Sequence, residues 1–326
     1  MPVNNGSATL ASALASLQAQ TLTDIEILVV DDHSSDATPA MLDKLASREA
    51  RLRAIRLGSN LGVHHARAAG LEEARAPWIA FLDADDRALP TMLERLLTAA
   101  ETSQADIAIC GSLRVTPEGR SLGPKVRFPR QQLWQEEVFE SFCQLRFGTA
   151  ALWNKLYRSE LIRPWASRPH RWQQNGTEDT LVNIGCFWHA RRVVALPDVL
   201  HRYVLQPGSL TTALEAERGF AKIVRAFAIA VDLYAHLGPR ALAGIADLYR
   251  AQLTYPAYAL PWQTGLLIEA DWPAWTDDLR EPVGFLAQEH PQALALLLAR
   301  LPATESPGLL TRLRGRLRRM LPARHG

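Results

Sequence analysis

The chain has 326 residues, of which 48% are hydrophobic, enough for one large globular domain or two smaller ones. Lys and Arg (36) nearly balance Asp and Glu (34), a pattern that does not favour general nucleic-acid binding. No apolar run approaches the roughly 20 residues that span a bilayer, so an integral membrane protein is not expected. The three cysteines are widely spaced and no cleavable signal is visible, which predicts a reducing, cytoplasmic location without a disulfide framework or zinc site.

Strands and helices are predicted to alternate along the first two thirds of the chain, because short apolar runs alternate with amphipathic segments. The strands are expected near 25–31, 52–57, 78–83, 106–112 and 192–197, and the helices near 8–19, 37–48, 63–75, 90–102 and 177–190. This order predicts an α/β fold with a mostly parallel sheet covered on both faces. Residues 113–150 are expected to form a loop-rich insertion, and Ala/Leu-rich helices are expected near 215–236, 240–259 and 283–300.

Clustered acids follow two of the predicted strands. Asp31 and Asp32 end one apolar run, and Asp83, Asp85 and Asp86 follow another. Ligands of open α/β sheets bind at the carboxyl ends of strands. Carboxylates this close repel one another unless a cation or protons neutralise them, and hard oxygen ligands favour Mg²⁺ or Mn²⁺. Either cluster alone would also fit a solvated turn, but the two together favour one ligand that bridges neighbouring strand ends.

An ordered set of motifs gives the sequence a family resemblance. In chain order the set comprises Gln20-Thr21-Leu22 through Asp36, Asn60-Leu61-Gly62 with Ala66 to Gly70, Phe81 to Asp86, Trp153 to Arg158, Glu178-Asp179, and Pro207 to Thr211. In order and spacing it resembles the family 2 glycosyltransferases of bacterial polysaccharide synthesis, which are inverting enzymes with the GT-A fold (Rossmann-like). The resemblance implies a GT-A domain over 1–212. Beyond it, the residue pattern predicts a helical C-terminal region over 213–305 and a basic amphipathic tail over 306–326.

The resemblance also implies ligands for the acids. The donor would be a nucleotide sugar, expected to be UDP-linked, and the acceptor a saccharide or a lipid-linked sugar. Asp83 and Asp85 match the Asp-x-Asp motif that holds Mg²⁺ or Mn²⁺, with Asp85 the direct ligand and Asp83 facing the metal or the ribose. Asp86 could share this role. Asp31 and Asp32 match the acids that contact the nucleobase and the ribose.

Further residues are expected around the nucleotide. Asn60, Gly62 and Arg67 fit a loop that brings backbone and a guanidinium to the donor, and Arg suits phosphate through its planar fork. The alternative is a helix N-terminus with Arg67 on a solvated face. The family usually has arginines at two positions where this chain has Val204 and Gln206. Arg202 or its neighbour His201 is therefore expected to contact the diphosphate.

The acceptor side is expected to contain the general base. Asp179 matches the family residue that takes the acceptor proton, and a helix start favours its ionised form. Glu178, Trp153 and Asn154 are expected beside the acceptor. Trp153 would offer an apolar face to a sugar ring, although a core aromatic residue is an equally good interpretation.

The two termini carry separate expectations. The family normally begins with an apolar strand, whereas this sequence starts at the turn after it. The first strand is therefore expected to be missing, and a start site placed too far downstream is the simplest explanation. Residues 307–326 hold six arginines and no acid, with Leu310, Leu313, Leu317 and Met320 on one helical face. This pattern predicts a peripheral helix on an anionic membrane surface, although arginine is the prevailing base throughout the chain.

Two other functions remain open from the sequence. A nucleotidyltransferase also carries strand-end acids, but it needs a Gly-rich, basic loop near its start, and the sequence shows none. A non-catalytic sugar-nucleotide-binding or scaffold protein would explain Val204, Gln206 and the missing strand. Donor hydrolysis in the presence of metal separates this second alternative from an enzyme.

Overall fold

The computed structural model describes residues 1–172, 176–206, 216–253 and 272–299. The chain forms two compact units. The first comprises residues 1–142, 146–169 and 185–209, and the second comprises 143–145, 170–184 and 210–326. The domain boundary predicted at residue 212 and the basic tail at 306–326 both lie outside the described residues.

The described strands and helices follow the predicted alternation. The strands are β1 (Pro2–Val3), β2 (Ile27–Asp31), β3 (Leu52–Arg56), β4 (Trp78–Ala80), β5 (Arg87–Ala88), β6 (Ile107–Val115), β7 (Ser121–Val126), β8 (Gln132–Trp134), β9 (Lys155–Arg158) and β10 (Val193–Val204). The helices are α1 (Leu10–Gln18), α2 (Thr38–Ala46), α3 (Val63–Glu73), α4 (Met92–Thr102), α5 (Val138–Cys143), α6 (Ser159–Ala166), α7 (Glu178–His189), α8 (Ala216–Tyr234), α9 (Pro239–Leu253), α10 (Trp272–Glu289) and α11 (Pro291–Ala299).

The first sheet has three parallel strands in the order β1-β2-β3. Its apolar core joins Ile27 and Val29 of β2 to Leu10 and Leu14 of α1. Alternate residues of a strand point to opposite faces, so Leu28 and Val30 face away from α1. The first strand was expected to be missing, whereas the structure forms the two-residue strand β1, which pairs in register with the end of β2.

The second sheet is mixed. Its main strand order is β4-β9-β6-β10-β5, and β10 runs parallel to β6 while β9 is antiparallel to both β4 and β6. The mostly parallel arrangement predicted from the sequence therefore holds in the first sheet only. The segment 113–150, predicted to be a loop-rich insertion, contains β7, β8 and α5. β7 pairs antiparallel with β6, and β8 pairs antiparallel with β10.

The second unit is helical in its described part. Helices α8 and α10 pack together, α9 packs on α8, and α11 packs on both α9 and α10. The Arg171 side chain lies 3.6 Å from the Asp232 carboxylate of α8. None of the described helices is both long enough and apolar enough to cross a membrane.

Candidate functional site

The end of β2 supplies two buried acids, and one of them shapes the next loop. Asp31 and Asp32 are 2% and 3% exposed. The Asp32 carboxylate accepts hydrogen bonds from the backbone N–H groups of Leu61 and Gly62, each at 2.8 Å. Gly62 has φ 89° and ψ 162°, a conformation essentially restricted to glycine. Asp32 and Gly62 together fix the turn that starts α3.

The first five residues brace the same strand end. Asp32 donates its N–H to the Val3 carbonyl at 2.8 Å, and the Asn4 side-chain amide donates to the Asp32 carbonyl at 2.7 Å. The Asn5 side-chain oxygen accepts from the Ser35 N–H at 2.8 Å. Sequence reasoning did not assign these asparagines a role, because their partners lie about 30 residues away along the chain.

Arg67 contacts the loop of residues 81–86 that follows β4, which we call the acid loop. Its Nη2 donates to Asp83 Oδ1 at 3.1 Å, and the Arg67 side chain is only 6% exposed. The alternative that placed Arg67 on a solvated face is therefore wrong. Asn60 is exposed in the loop that Asp32 holds. Asp83 remains 31% exposed, so this ion pair leaves the carboxylate accessible to a ligand.

Asp85 and Asp86 hold their protons more tightly than ordinary aspartates. Burial, followed by the Asp86 and Asp83 charges, raises the pKa of Asp85 from 3.8 to about 7. Burial and the Asp83 charge raise the pKa of Asp86 well above its ordinary value. A cation at this position would favour the ionised carboxylates and relieve their repulsion. Within the described parts of the chain, no group of three or more His, Cys, Asp and Glu side chains is arranged to hold a metal by itself.

Asp86 faces the protein interior. Its Oδ1 accepts the Val204 N–H at 2.9 Å, and its Oδ2 lies 3.3 Å from Nε2 of His201. Nδ1 of His201 is 3.0 Å from the Ser112 hydroxyl, and burial lowers the pKa of His201 to about 3. His201 is fully buried, so the expectation that it could contact the diphosphate is wrong. No local sequence pattern predicts this cluster of Asp86, His201 and Ser112, because its members come from three separate segments.

Trp153 and Asn154 are buried rather than open to an acceptor. Trp153 is 4% exposed and stacks on His201 with ring centroids 4.3 Å apart, which favours the core-aromatic interpretation. Asn154 is fully buried, donates to the Cys110 carbonyl at 2.8 Å and accepts from Lys155 Nζ at 2.9 Å. The acceptor role expected of Asn154 is corrected to a structural one, because acceptor contact would break both hydrogen bonds.

Asp179 belongs to the second unit and lies in the first turn of α7. Gly176 and Thr177 before it both have positive φ, so a tight turn directs the chain into this helix. Tyr234 of α8 donates to the Leu181 carbonyl at 2.7 Å, and Gln252 of α9 donates to the Thr180 hydroxyl at 3.1 Å. Two C-terminal helices therefore hold the residues that immediately follow Asp179. Glu178 is 6% exposed.

Arg202 lies in the last strand of the first unit. Arg202 is part-buried and pairs across the sheet with Arg87 of β5. Arg87 lies two residues after Asp85 in the sequence. Arg87 Nη2 donates to the Pro117 carbonyl at 3.0 Å. The register therefore places Arg202 beside the strand that directly follows the acid loop.

The comparisons with known proteins decide the family. The sequence model of the family "Glycosyl transferase family 2" matches residues 1–166, half of the chain, and this range includes every strand-end acid described above. The chain belongs to glycosyl transferase family 2.

Two relatives from the same family match part of the chain. It is 32% identical over 216 residues to the uncharacterized glycosyltransferase EpsJ of Bacillus subtilis (65% of this chain, 61% of EpsJ). It is 36% identical over 156 residues to the succinoglycan biosynthesis protein ExoO of Rhizobium meliloti (48% of this chain, 42% of ExoO). The chain thus spans less than two thirds of the length of each of these two relatives.

A solved structure extends the likeness to the whole fold. The chain superposes on S. aureus TarS 1-349, solved in complex with UDP-GlcNAc, with a TM-score of 0.71 at 19% identity. The match covers 98% of this chain and 87% of the TarS chain. At this identity the match shows the fold, which is GT-A with a helical C-terminal region.

Asp32→Asn is expected to loosen the loop before α3. An amide has one oxygen acceptor, so one of the Leu61 and Gly62 N–H groups loses its partner, at a cost of about 1–3 kcal/mol. We expect a lower unfolding midpoint in urea together with weaker donor binding. Asp24→Asn, at an exposed position upstream of β2, is the control and should change neither. An unchanged midpoint in Asp32→Asn would show that the carboxylate does not hold this loop.

Proposed function

We propose that this family 2 glycosyltransferase transfers a sugar from a nucleoside-diphosphate donor, UDP-linked, to a saccharide or lipid-linked acceptor of a surface polysaccharide, with inversion. One observation carries the proposal: the raised pKa of Asp85 in a loop whose neighbour Asp83 stays accessible. Such clustered carboxylates suit a ligand that brings a cation and a diphosphate. The UDP-GlcNAc of the TarS complex and the polysaccharide role in the name of ExoO support the donor and acceptor classes.

The donor would lie along the strand ends of the first unit. Asp31 and the exposed Asn60 flank the loop that Asp32 and Gly62 shape, which fits a nucleoside pocket with Asp31 near the base. An ionised Asp accepts hydrogen bonds only, so it suits the N–H of a uracil ring. Arg67 pairs with Asp83, which would face the diphosphate, and Arg202 would add positive charge there.

Asp83 and Asp85 are the residues that would hold Mg²⁺ or Mn²⁺. Mg²⁺ is commonly bound by one or two carboxylates together with substrate phosphates. The described residues fit this mode, because they offer two carboxylates rather than a closed protein cage. When bound, such an ion neutralises charge on the leaving diphosphate. Asp86 is turned to Val204 and His201, so its role would be to support the loop.

Asp179 is proposed as the general base. The acceptor oxygen attacks the anomeric carbon as the bond from that carbon to the diphosphate oxygen breaks. The acceptor proton passes to the Asp179 carboxylate, and the diphosphate leaves with the bond's electron pair. The helix dipole favours an ionised carboxylate in the first turn of α7. Tyr234 and Gln252 would then serve catalysis by fixing this turn, which gives the C-terminal helices a role.

The proposal is tested by the products released from the donor. The full chain is incubated with a panel of UDP-sugars and Mg²⁺ or Mn²⁺, and free UDP is measured with and without candidate acceptors. Metal-dependent UDP release from at least one donor is the expected result. Donor binding without release would favour a sugar-nucleotide-binding protein, and pyrophosphate release from UTP and a sugar phosphate would favour a nucleotidyltransferase.

A further inference from the structure

A lysine of the β6–β7 hairpin lies at a break in the strand pairing. On β7, Val126 and Pro124 pair with consecutive residues of β6, so Lys125 between them has no partner in this ladder. An extra residue of this kind is a β-bulge, and bulges redirect a side chain, often next to a functional site. The Lys125 ammonium lies over the Tyr203 ring of β10, 4.3 Å from the ring centroid.

The positive charge of Lys125 has no counter-ion among the described residues. Its side chain is half-buried, and within the described ranges it forms neither an ion pair nor a hydrogen bond. The Asp86 charge acts on this ammonium, but both Asp86 oxygens are directed at Val204 and His201. Burial, followed by the Arg114 charge, lowers the pKa of Lys125. A partly buried cation is costly unless an anion accompanies it, so the position favours an anionic ligand.

A second cation lies on the same face of the sheet. Arg114 of β6 pairs with Tyr203 of β10 in the parallel ladder, and residues paired across a ladder share one face. The Arg114 Nη1 donates to the Pro124 carbonyl at 2.8 Å, which holds the guanidinium next to β7. No carboxylate in the described part of the chain forms an ion pair with Arg114. Because its charge acts on Lys125, a single anion would face both groups.

We propose that Lys125 and Arg114 bind a phosphate group of the acceptor, on the Tyr203 face of the second sheet and beside the acid loop. This inference rests on the proposed function, because it assigns a charged group to the acceptor of that reaction. A phosphate monoester carries a charge of about −2 and several acceptor oxygens, which suits two cations better than the single charge of a carboxylate. Lys binds phosphate as a point charge, and Arg does so through its planar fork.

The subsite is separate from the groups proposed to hold the donor diphosphate. Asp83 pairs with Arg67 rather than with Lys125. Burial and the charges of the other two acids set the pKa of Asp85. Lys125 acts instead on Asp86, the acid that faces the protein interior. The diphosphate is therefore expected at Asp83 and Asp85, and the phosphate at Lys125 is a second one.

Binding at Lys125 is measured by NMR on the full chain. The sequence holds only four lysines, so isotopically labelled methyl groups on the lysine side chains give few signals, and Lys125→Arg identifies the one from Lys125. Titration with glycerol phosphate at constant ionic strength is expected to shift this signal to saturation and to leave that of the exposed Lys44 in place. Glycerate, a carboxylate, is expected to bind at least about tenfold more weakly. No shift at Lys125, equal shifts at both lysines or equal affinity for glycerate would overturn the proposal.

Two variants test the contribution of each cation. Lys125→Met removes the charge while keeping an unbranched side chain, and it is expected to raise the Kd of glycerol phosphate at least about tenfold in titration calorimetry. Arg114→Gln, the second variant, is expected to raise this Kd by a similar factor. Lys44→Met, at an exposed position, is the control and should bind as the wild type does. Unchanged affinity in both Lys125→Met and Arg114→Gln would overturn the proposal.

Donor binding distinguishes an acceptor phosphate from the donor diphosphate. Lys125→Met should bind UDP with Mn²⁺ as tightly as the wild type does, and bound UDP should leave the Kd of glycerol phosphate unchanged. Competition between UDP and glycerol phosphate would assign Lys125 to the donor and overturn the acceptor subsite. Metal-dependent UDP release without phosphate binding at Lys125 would contradict this inference alone, whereas phosphate binding without UDP release from any donor would contradict the proposed function.

Discussion

Asp179→Asn is expected to lower turnover by about 10²–10⁴-fold, the usual contribution of a positioned general base. The substitution keeps the size and shape of the side chain but removes its ability to take the acceptor proton. Steady-state rates of UDP release with saturating acceptor provide the measurement. Because Asn also suits a helix start, we expect the fold and its Tm to stay close to those of the wild type.

Donor affinity separates this interpretation from a structural one. Asp179→Asn should leave the donor dissociation constant nearly unchanged, because the nucleotide is expected on Asp31, Asn60 and the acid loop. Glu160→Gln, which replaces an exposed acid in the first turn of α6, is the matched control and should keep full turnover. Wild-type turnover in Asp179→Asn would reduce Asp179 to an ordinary helix-start acid.

Asp85→Asn is expected to abolish metal-stimulated donor binding while leaving the protein folded. Asn offers a neutral oxygen in place of a carboxylate, so the loop loses one of the two charges proposed to hold the ion. Titration of a UDP-sugar with and without Mn²⁺ provides the measurement. Binding that still strengthens with Mn²⁺ in the variant would exclude Asp85 as the direct ligand.

The same substitution is expected to stabilise the protein at alkaline pH in the absence of metal. The folded-state pKa of Asp85 is about 7 against an ordinary value of 3.8, so the folded chain binds the extra proton between these pH values. The associated stability is present below about pH 4 and lost as the pH rises to about 7. Above pH 7 the ionised carboxylate costs the fold about 2–4 kcal/mol, which Asn avoids.

Thermal unfolding at two pH values measures this effect. Tm of Asp85→Asn should exceed that of the wild type at pH 8, and the difference should nearly vanish at pH 4. Asp24→Asn is again the exposed control. A difference of the same size at both pH values would mean that the gain does not come from the charge of Asp85.

The strand-end acids could be predicted from the sequence because local patterns encode them. An apolar run followed by acids is recognisable without knowledge of distant residues, so the sequence alone predicts Asp31, Asp32, Asp83 and Asp85 as site candidates. The small strands β7 and β8 could not be predicted in the same way. Their stability comes from pairing with β6 and β10, because β7 contains Gly123 and Pro124 and β8 is only three residues long.

Burial in the fold determines the roles of the residues for which the sequence left two interpretations open or predicted the wrong one. Trp153 and Asn154 follow a family motif, but only the fold shows that one stacks on His201 and the other bonds to the Cys110 carbonyl. The partnership of Asp86 with His201 likewise depends on β10 lying next to β5, the strand that directly follows Asp86. Roles of this kind arise from tertiary packing, which the spacing of residues along one sequence does not contain.

The stereochemistry of the product tests the central claim most directly. Direct attack by an acceptor oxygen, with its proton passing to Asp179, predicts that the transferred sugar has the anomeric configuration opposite to that of the donor. Proton NMR of the product, taken early in a reaction with an α-linked UDP-sugar, distinguishes the two anomers through their coupling constants. A β-linked product is the expected result, and an α-linked product would contradict the mechanism.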